Sequence, residues 1–341
     1  MKANRSQRGM SLVEVIVVMA IALVIIMASF QMLEETTRVT MFIETRNDLP
    51  IIAQSAVNYL QTAISQSKQI FDADTTGVGP GYLAALTVPM TPLTGSRMPL
   101  INTNGQFVAD TTDPFTGNCL LIARQLAPIE IKYTGGQLEL DRYRFEYYFL
   151  TKRTNWKFVG SDGYVDAMRA RSNEYADYFQ LSNLPGSITA AQRKEINEKL
   201  MAQAPNKILM AWDPGQPINK TMYKLTTNGT SAATAYVLDD KHKIVMNDVK
   251  SITPQINSAR VFGKMNYSIA FRKSATETYP ITTPVSRYAV FASAKPLFPS
   301  GLEFVVVGNA TTRRVLSRLT IMAHYRANEY ASQEASVITA P

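Results

Sequence analysis

The sequence predicts an α+β protein in which a long N-terminal helix, apolar at first and amphipathic later, is followed by a β-rich globular domain carrying a helical insertion. Three observations predict it. Residues 10–33 form a nearly unbroken apolar run, long enough at about 1.5 Å per residue to cross a bilayer as a helix. Apolar residues then recur at three- to four-residue intervals up to about Phe71. Beyond that, short segments rich in β-branched and aromatic residues are separated by turn-forming stretches.

The run from Met10 to Leu33 is interrupted only by Ser11, Glu14, Ser29 and Gln31. A secretory signal peptide or a plain signal anchor would carry a similar run, although Ala28, with Met27 and Phe30 close by, is a poor cleavage site. Residues 34–74 read as the continuation of the helix, because Leu49, Ile52, Ala56, Leu60, Ala63 and Ile64 share one face. Pro50 should kink or restart it, since proline removes an amide donor and clashes with the preceding turn at about 3 kcal/mol. Asn47 and Asp48 can cap the second piece. The apolar stripe is expected to pack on the globular domain rather than to form a groove for a partner.

Residues 75–341 make the globular domain. From Thr75 to about Gln106, Gly, Pro, Thr and Asn predict connecting loops. The segments CLLIARQL and IEIKYT predict two strands and QLELDRYRFEYYFL a third, the last two joined as a hairpin through Gly135 and Gly136. Within the third, the alternation of Leu138 and Leu140 changes phase before Tyr143, Phe145, Tyr147 and Phe149, as a bulge would produce. Residues 163–204 predict the helical insertion. There YVDAMRARSNEYADYFQL and SITAAQRKEINEKLMAQ are separated by Pro185 and Gly186, and Thr189 with Gln192 has capping-box spacing. Strand patterns resume from KILMAW to RVLSRLTIMAHY, the last of which also fits a helix, and the tail ASQEASVITAP is expected to fray.

With 46% hydrophobic and 18% charged residues, the composition is that of a folded chain rather than a disordered one. Cys119 is the sole cysteine, which excludes an intrachain disulfide. His242 and His324 with one thiol do not make the ligand spacing of a zinc site. No HExxH, GxSxG, P-loop or Rossmann glycine pattern is present, so no catalytic residue and no cofactor is expected. Asp110 with Asp113, and Asp239 with Asp240, carry oxygen ligands of the kind calcium takes. They lack the EF-hand pattern and read better as turn residues, so no metal ligand is assigned. In TKRTNWKF, Lys152, Arg153 and Lys157 surround Trp156, a combination able to stack a base and bind phosphates. The competing reading is a solvated strand end with a half-buried tryptophan.

The first residues are more specific. Lys2, Arg5 and Arg8 form a short basic leader that ends in Gly9; Met10 and Ser11 follow, and Glu14 stands five positions after the glycine. This order resembles the prepilin-type signal of type IV pilins and type II secretion pseudopilins, with Met10 in place of the commoner Phe. The resemblance implies that residues 1–9 are removed and the new amino terminus at Met10 methylated by a prepilin peptidase/methyltransferase, while the apolar helix is retained. The formal charge of +8 includes the three leader cations, leaving +5 on the mature chain. Cleavage also supplies a partner for Glu14, which at mid-bilayer would cost roughly 2.5–3.5 kcal/mol. The new α-amine has an ordinary pKa of about 7.7–8 and lies one helical turn away. In a filament the carboxylate can instead meet the amine of a neighbouring subunit, setting axial register while both charges are neutralised in lipid. The resemblance favours this intersubunit pair and gives Glu14 a role in assembly.

The GMSLVE start and β-rich body are most like PilW-type minor pilins; J-type pseudopilins are usually shorter and the K-type tip pseudopilin lacks the acid. The resemblance implies a non-enzymatic subunit in the inner membrane, its C-terminal domain outside the cytoplasm, later drawn into a pilus at the cell surface. It would prime assembly near the tip with other minor and major pilins and the inner-membrane assembly platform. The alternatives are a filament-tip adhesin or DNA-binding display subunit, and a J-type minor pseudopilin.

Overall fold

The computed structural model describes residues 11–71, 83, 86–92, 96, 98–102, 116–152, 164–177, 188–202, 210–212, 222–226, 229–235, 244–253, 267–270, 301–308, 312–326 and 329–341. It shows the α+β architecture expected from the sequence: a long N-terminal helix, then a β-rich domain. The chain divides between Asp48 and Leu49 into two compact units. Helix α1 (Leu12–Ser65) begins in the first and ends in the second. It is helical through Pro50, so the expected restart, capped by Asn47 and Asp48, does not occur. One lost amide hydrogen bond is small beside a buried stripe that begins at Leu49, next to the proline.

In the first unit, the large apolar side chains from Leu12 to Leu33 are exposed almost without exception. Hydroxyls along this half are answered by the preceding turn: Ser29 Oγ donates to the Ile25 carbonyl at 2.8 Å, and Thr36 and Thr37 donate to those of Met32 and Leu33.

In the second unit, Leu49, Ile52, Ala53, Ala56, Val57, Leu60, Ala63 and Ile64 of α1 are buried at helical spacing. The stripe packs on the globular domain, as its periodicity predicted. Helix α1 stops at Ser65 rather than running on to residue 74. Ser65 Oγ and Ser67 Oγ donate to the carbonyls of Thr62 and Ile64 near its end, and Ser67–Phe71 becomes strand β1.

Short strands β2 (Leu86–Thr87) and β3 (Ile101–Asn102) punctuate the stretch expected to be loop, and β4 (Thr116–Gly117) lies beyond it. They are followed by β5 (Leu120–Tyr133), β6 (Gly136–Lys152) and β7 (Tyr164–Ala176). Helix α2 (Ala190–Ala202) precedes β8 (Met210–Trp212), β9 (Met222–Thr226), β10 (Gly229–Ala235), β11 (Ile244–Val245), β12 (Lys250–Ser251) and β13 (Tyr267–Ala270). Strands β14 (Leu302–Val307), β15 (Arg314–Arg326) and β16 (Glu329–Thr339) complete the order. The main sheet runs β1-β5-β6-β7-β13-β15-β14-β3, with β16 on the other side of β15. Strands from both ends of this order, β1 and β5 on one hand and β14 and β15 on the other, pack on the α1 stripe through Ile70, Ile122, Phe304 and Leu319.

Four local expectations are corrected. CLLIARQL and IEIKYT are one strand, β5, because the residues between them, around Pro128, form a bulge against β6 instead of a break: Leu126 pairs with Arg142 and Ile129 with Leu140. The apolar phase change on β6 is not a bulge of β6 itself. At both irregularities the extra residue belongs to the neighbouring strand, and the change marks which face is apolar. Leu140 meets α2, whereas Tyr143, Phe145, Tyr147 and Phe149 enter a core that also holds Cys119, Leu121 and Ala170. The first half of the expected insertion is strand β7, since its apparent helical polarity comes from charges answered by β6 and the segment around Asp248. The tail is not frayed: β16 pairs with β15 from Glu329 to Thr339, and Ala335 and Val337 pack on the main core.

The hairpin between β5 and β6 turns at Thr134 and Gly135, the latter at φ +111°, where a side chain would be strained. Helix α2 holds this turn. Its expected capping box is formed, with Gln192 Oε1 accepting from Thr189 N at 2.8 Å and Thr189 Oγ1 from Gln192 N at 3.2 Å. Gln192 Nε2 also donates to the Thr134 carbonyl at 2.7 Å, and Glu195 accepts from Thr134 N at 2.9 Å and from Lys199 Nζ at 2.7 Å. These hydrogen bonds, that to Lys199 foremost, hold the Glu195 pKa down at about 2 against an ordinary 4.5. A depressed carboxylate pKa stabilises above the unfolded value and loses that effect as pH falls through the folded one. Protection of the Thr134 amide from hydrogen exchange should therefore be full above about pH 4.5 and decline toward pH 2, and Glu195→Gln should flatten that profile.

A polar network lies where α1 meets β5, β6 and β7. Glu146 is fully buried. Its Oε1 accepts from Arg171 Nε at 2.6 Å and Arg124 Nη1 at 3.4 Å, and its Oε2 from the Tyr148 hydroxyl at 2.6 Å. The Tyr59 hydroxyl of α1 accepts from Arg169 Nη1 at 2.7 Å and Arg171 Nη2 at 3.2 Å, and Arg169 also reaches Asp248 at 2.8 Å. Burial, then Glu146, pushes the Tyr148 hydroxyl pKa well up. For Arg171, burial is the largest influence and works against the charge, but Glu146, Tyr59 and Tyr148 together more than offset it and the pKa is raised. Charges that neutralise one another this way can sit in a core.

Candidate functional site

The site predicted from the sequence is the start of α1. Gly9, Met10 and the leader cations Lys2, Arg5 and Arg8 lie outside the described residues; Ser11 and Glu14 lie within them. Glu14 occupies the first turn of the helix, where unpaired amides and the positive end of the helix dipole favour a carboxylate. It accepts a hydrogen bond from the Ser11 amide at 2.8 Å, and the Ser11 hydroxyl accepts one from the Glu14 amide at 3.3 Å. This reciprocal pair is a capping box. The sequence reading missed it, although Ser-x-x-Glu ahead of an apolar run is its signature.

The Glu14 carboxylate is folded back over the first turn, onto the Ser11 amide. It is also exposed, so a neighbouring chain can reach it. The helix it opens is long and apolar enough to cross a membrane, and none of its most apolar window is buried within the chain. A contiguous apolar surface of this kind marks a membrane or a protein interface.

Of the other candidates, Lys152 ends β6, and Arg153, Trp156 and Lys157 lie outside the described residues, as do Asp110, Asp113, Asp239 and Asp240.

The prokaryotic N-terminal methylation motif matches residues 4–30, which include Gly9, Met10 and Glu14. The chain thus carries a type IV pilin-like prepilin signal. That signal, with the apolar helix behind it, supports a pilin- or pseudopilin-type protein with membrane association and pilin partners. No curated protein and no solved structure matches the chain.

Proposed function

We propose that the protein is a PilW-like minor pilin: a structural, non-enzymatic subunit held in the inner membrane by α1, its C-terminal domain outside the cytoplasm, then drawn into a type IV pilus. There it primes assembly near the tip with other minor and major pilins. One observation carries the reading: a carboxylate in the first turn of an exposed apolar helix, within the matched methylation motif. In lipid such a charge is costly unless its surroundings answer it, and beyond the helix start a neighbouring subunit's α-amine would do so.

Mass spectrometry of the mature chain tests the class, with a methylated Met10 as the expected amino terminus; a start beyond Glu14 would overturn it. Deletion tests the role. Loss of all pili is the expected outcome, whereas normal pili that have lost adhesion or DNA uptake would make this a display subunit instead.

A further inference from the structure

Residues from both ends of the main sheet order line one cleft of about 970 Å³. Lys68 of β1, Arg124 of β5, Arg313 just before β15 and Arg314 at its start all line it. Among the described residues, no aspartate or glutamate lines it. Arg124 is answered by Glu146 and by Gln66 Oε1. Lys68, Arg313 and Arg314 have no carboxylate partner among the described residues, and the buried Nε of Arg313 makes no hydrogen bond. The C-terminal end of α1, at Ser65, contributes about half a negative charge. Even with a carboxylate counted on Pro341, which also lines the cleft, the cations are in surplus. Like charges converging in a cleft repel unless an anion joins them.

We propose that this cleft binds an acidic, extended peptide segment of a neighbouring subunit. The inference rests on the filament reading and names the chemistry of one contact in it. Three features favour a peptide. Strand β1 has β5 on one side and no described strand on the other, and an open edge pairs with an added strand. Gln66 and Gln125, which bond Arg124 and Asp141 through Oε1 and Nε2 respectively, each bring a second polar side-chain atom to the cleft lining. Among the described residues the lining holds no aromatic ring, so they offer no platform on which nucleic-acid bases would stack. Arginine forks then pair with carboxylates in bidentate fashion.

The test uses the full chain in detergent and fluorescein-labelled hexaglutamate, followed by anisotropy at low salt. Saturable binding is expected, weakened by about tenfold or more in an Arg313→Ala/Arg314→Ala chain. Lys250→Ala, which removes an exposed cation elsewhere, should leave it within about twofold. Thermal melting checks the fold; if the double variant is damaged, the exposed Arg314→Glu replaces it and should give the same loss. Absence of saturable binding, or binding indifferent to these arginines, overturns the proposal. So does equal affinity for labelled hexathymidylate, which would make the cleft a general polyanion site. The filament reading is judged separately, by Glu14→Ala. If that variant still fails to enter filaments while hexaglutamate does not bind, only the cleft assignment falls.

Discussion

A Glu14→Ala chain is expected to insert in the membrane and to be cut after Gly9, yet to be missing from filaments. Insertion should be no worse than for the unaltered chain, because the substitution removes a charge that costs roughly 2.5–3.5 kcal/mol at mid-bilayer. Assembly should suffer because the neighbouring subunit's α-amine is left unanswered in lipid. Breaking one side of a buried pair costs about 3–5 kcal/mol, a loss of incorporation on the order of a hundredfold or more. Ser11→Ala separates this role from the capping box. It removes only the local hydroxyl, at about 1 kcal/mol of helix-start stability, and should leave incorporation nearly intact. Quantifying each variant in sheared filaments against its level in the membrane decides the matter. A normal ratio for Glu14→Ala would end the pairing hypothesis.

The largest stability effect is expected at Glu146. Its side chain is 1% exposed and answers Arg171, Arg124 and Tyr148 together. In Glu146→Ala the Arg171 guanidinium keeps only Asp248, 3.8 Å away, as a carboxylate, and the Tyr148 hydroxyl loses its acceptor beneath α1, at about 3 kcal/mol. For a domain of this size that lowers the melting temperature by about 10 °C. Glu146→Gln keeps the shape and an acceptor, so it should lose less than the alanine variant. Thermal unfolding of the full chain in detergent measures both. An unchanged melting temperature for Glu146→Ala would mean that the arginines find other partners.

The legible parts of this fold are the locally encoded ones. The α1 stripe from Leu49 to Ile64 repeats at 3.6 residues, the Thr189–Gln192 box lies within one turn, and the β5–β6 hairpin turns at Gly135. What escaped reading depends on distant chain. Strand β7 reads as a polar helix until Arg169, Arg171 and Glu174 meet Asp248, Glu146 and Arg142. The segment Ser67–Phe71 continues the helical period and turns to strand because β5, some fifty residues on, offers it an edge. Tail β16 gathers its only large aliphatic side chains, Val337 and Ile338, at one end and is ordered by pairing with β15. At the candidate site, the order Gly9, Met10, Glu14 was readable because it is a linear signal, whereas the cationic cleft joins residues from opposite ends of the globular domain.

Cys119 sits in the core beside Phe145, Tyr147 and Leu121, with 0% exposure, and the sequence has no other thiol. The native surface is therefore chemically silent toward thiol reagents. A cysteine engineered near the start of α1, and another on Arg314, would each be the single reactive handle on its chain, so that crosslinking in whole cells maps which neighbours touch either end without background from the chain itself.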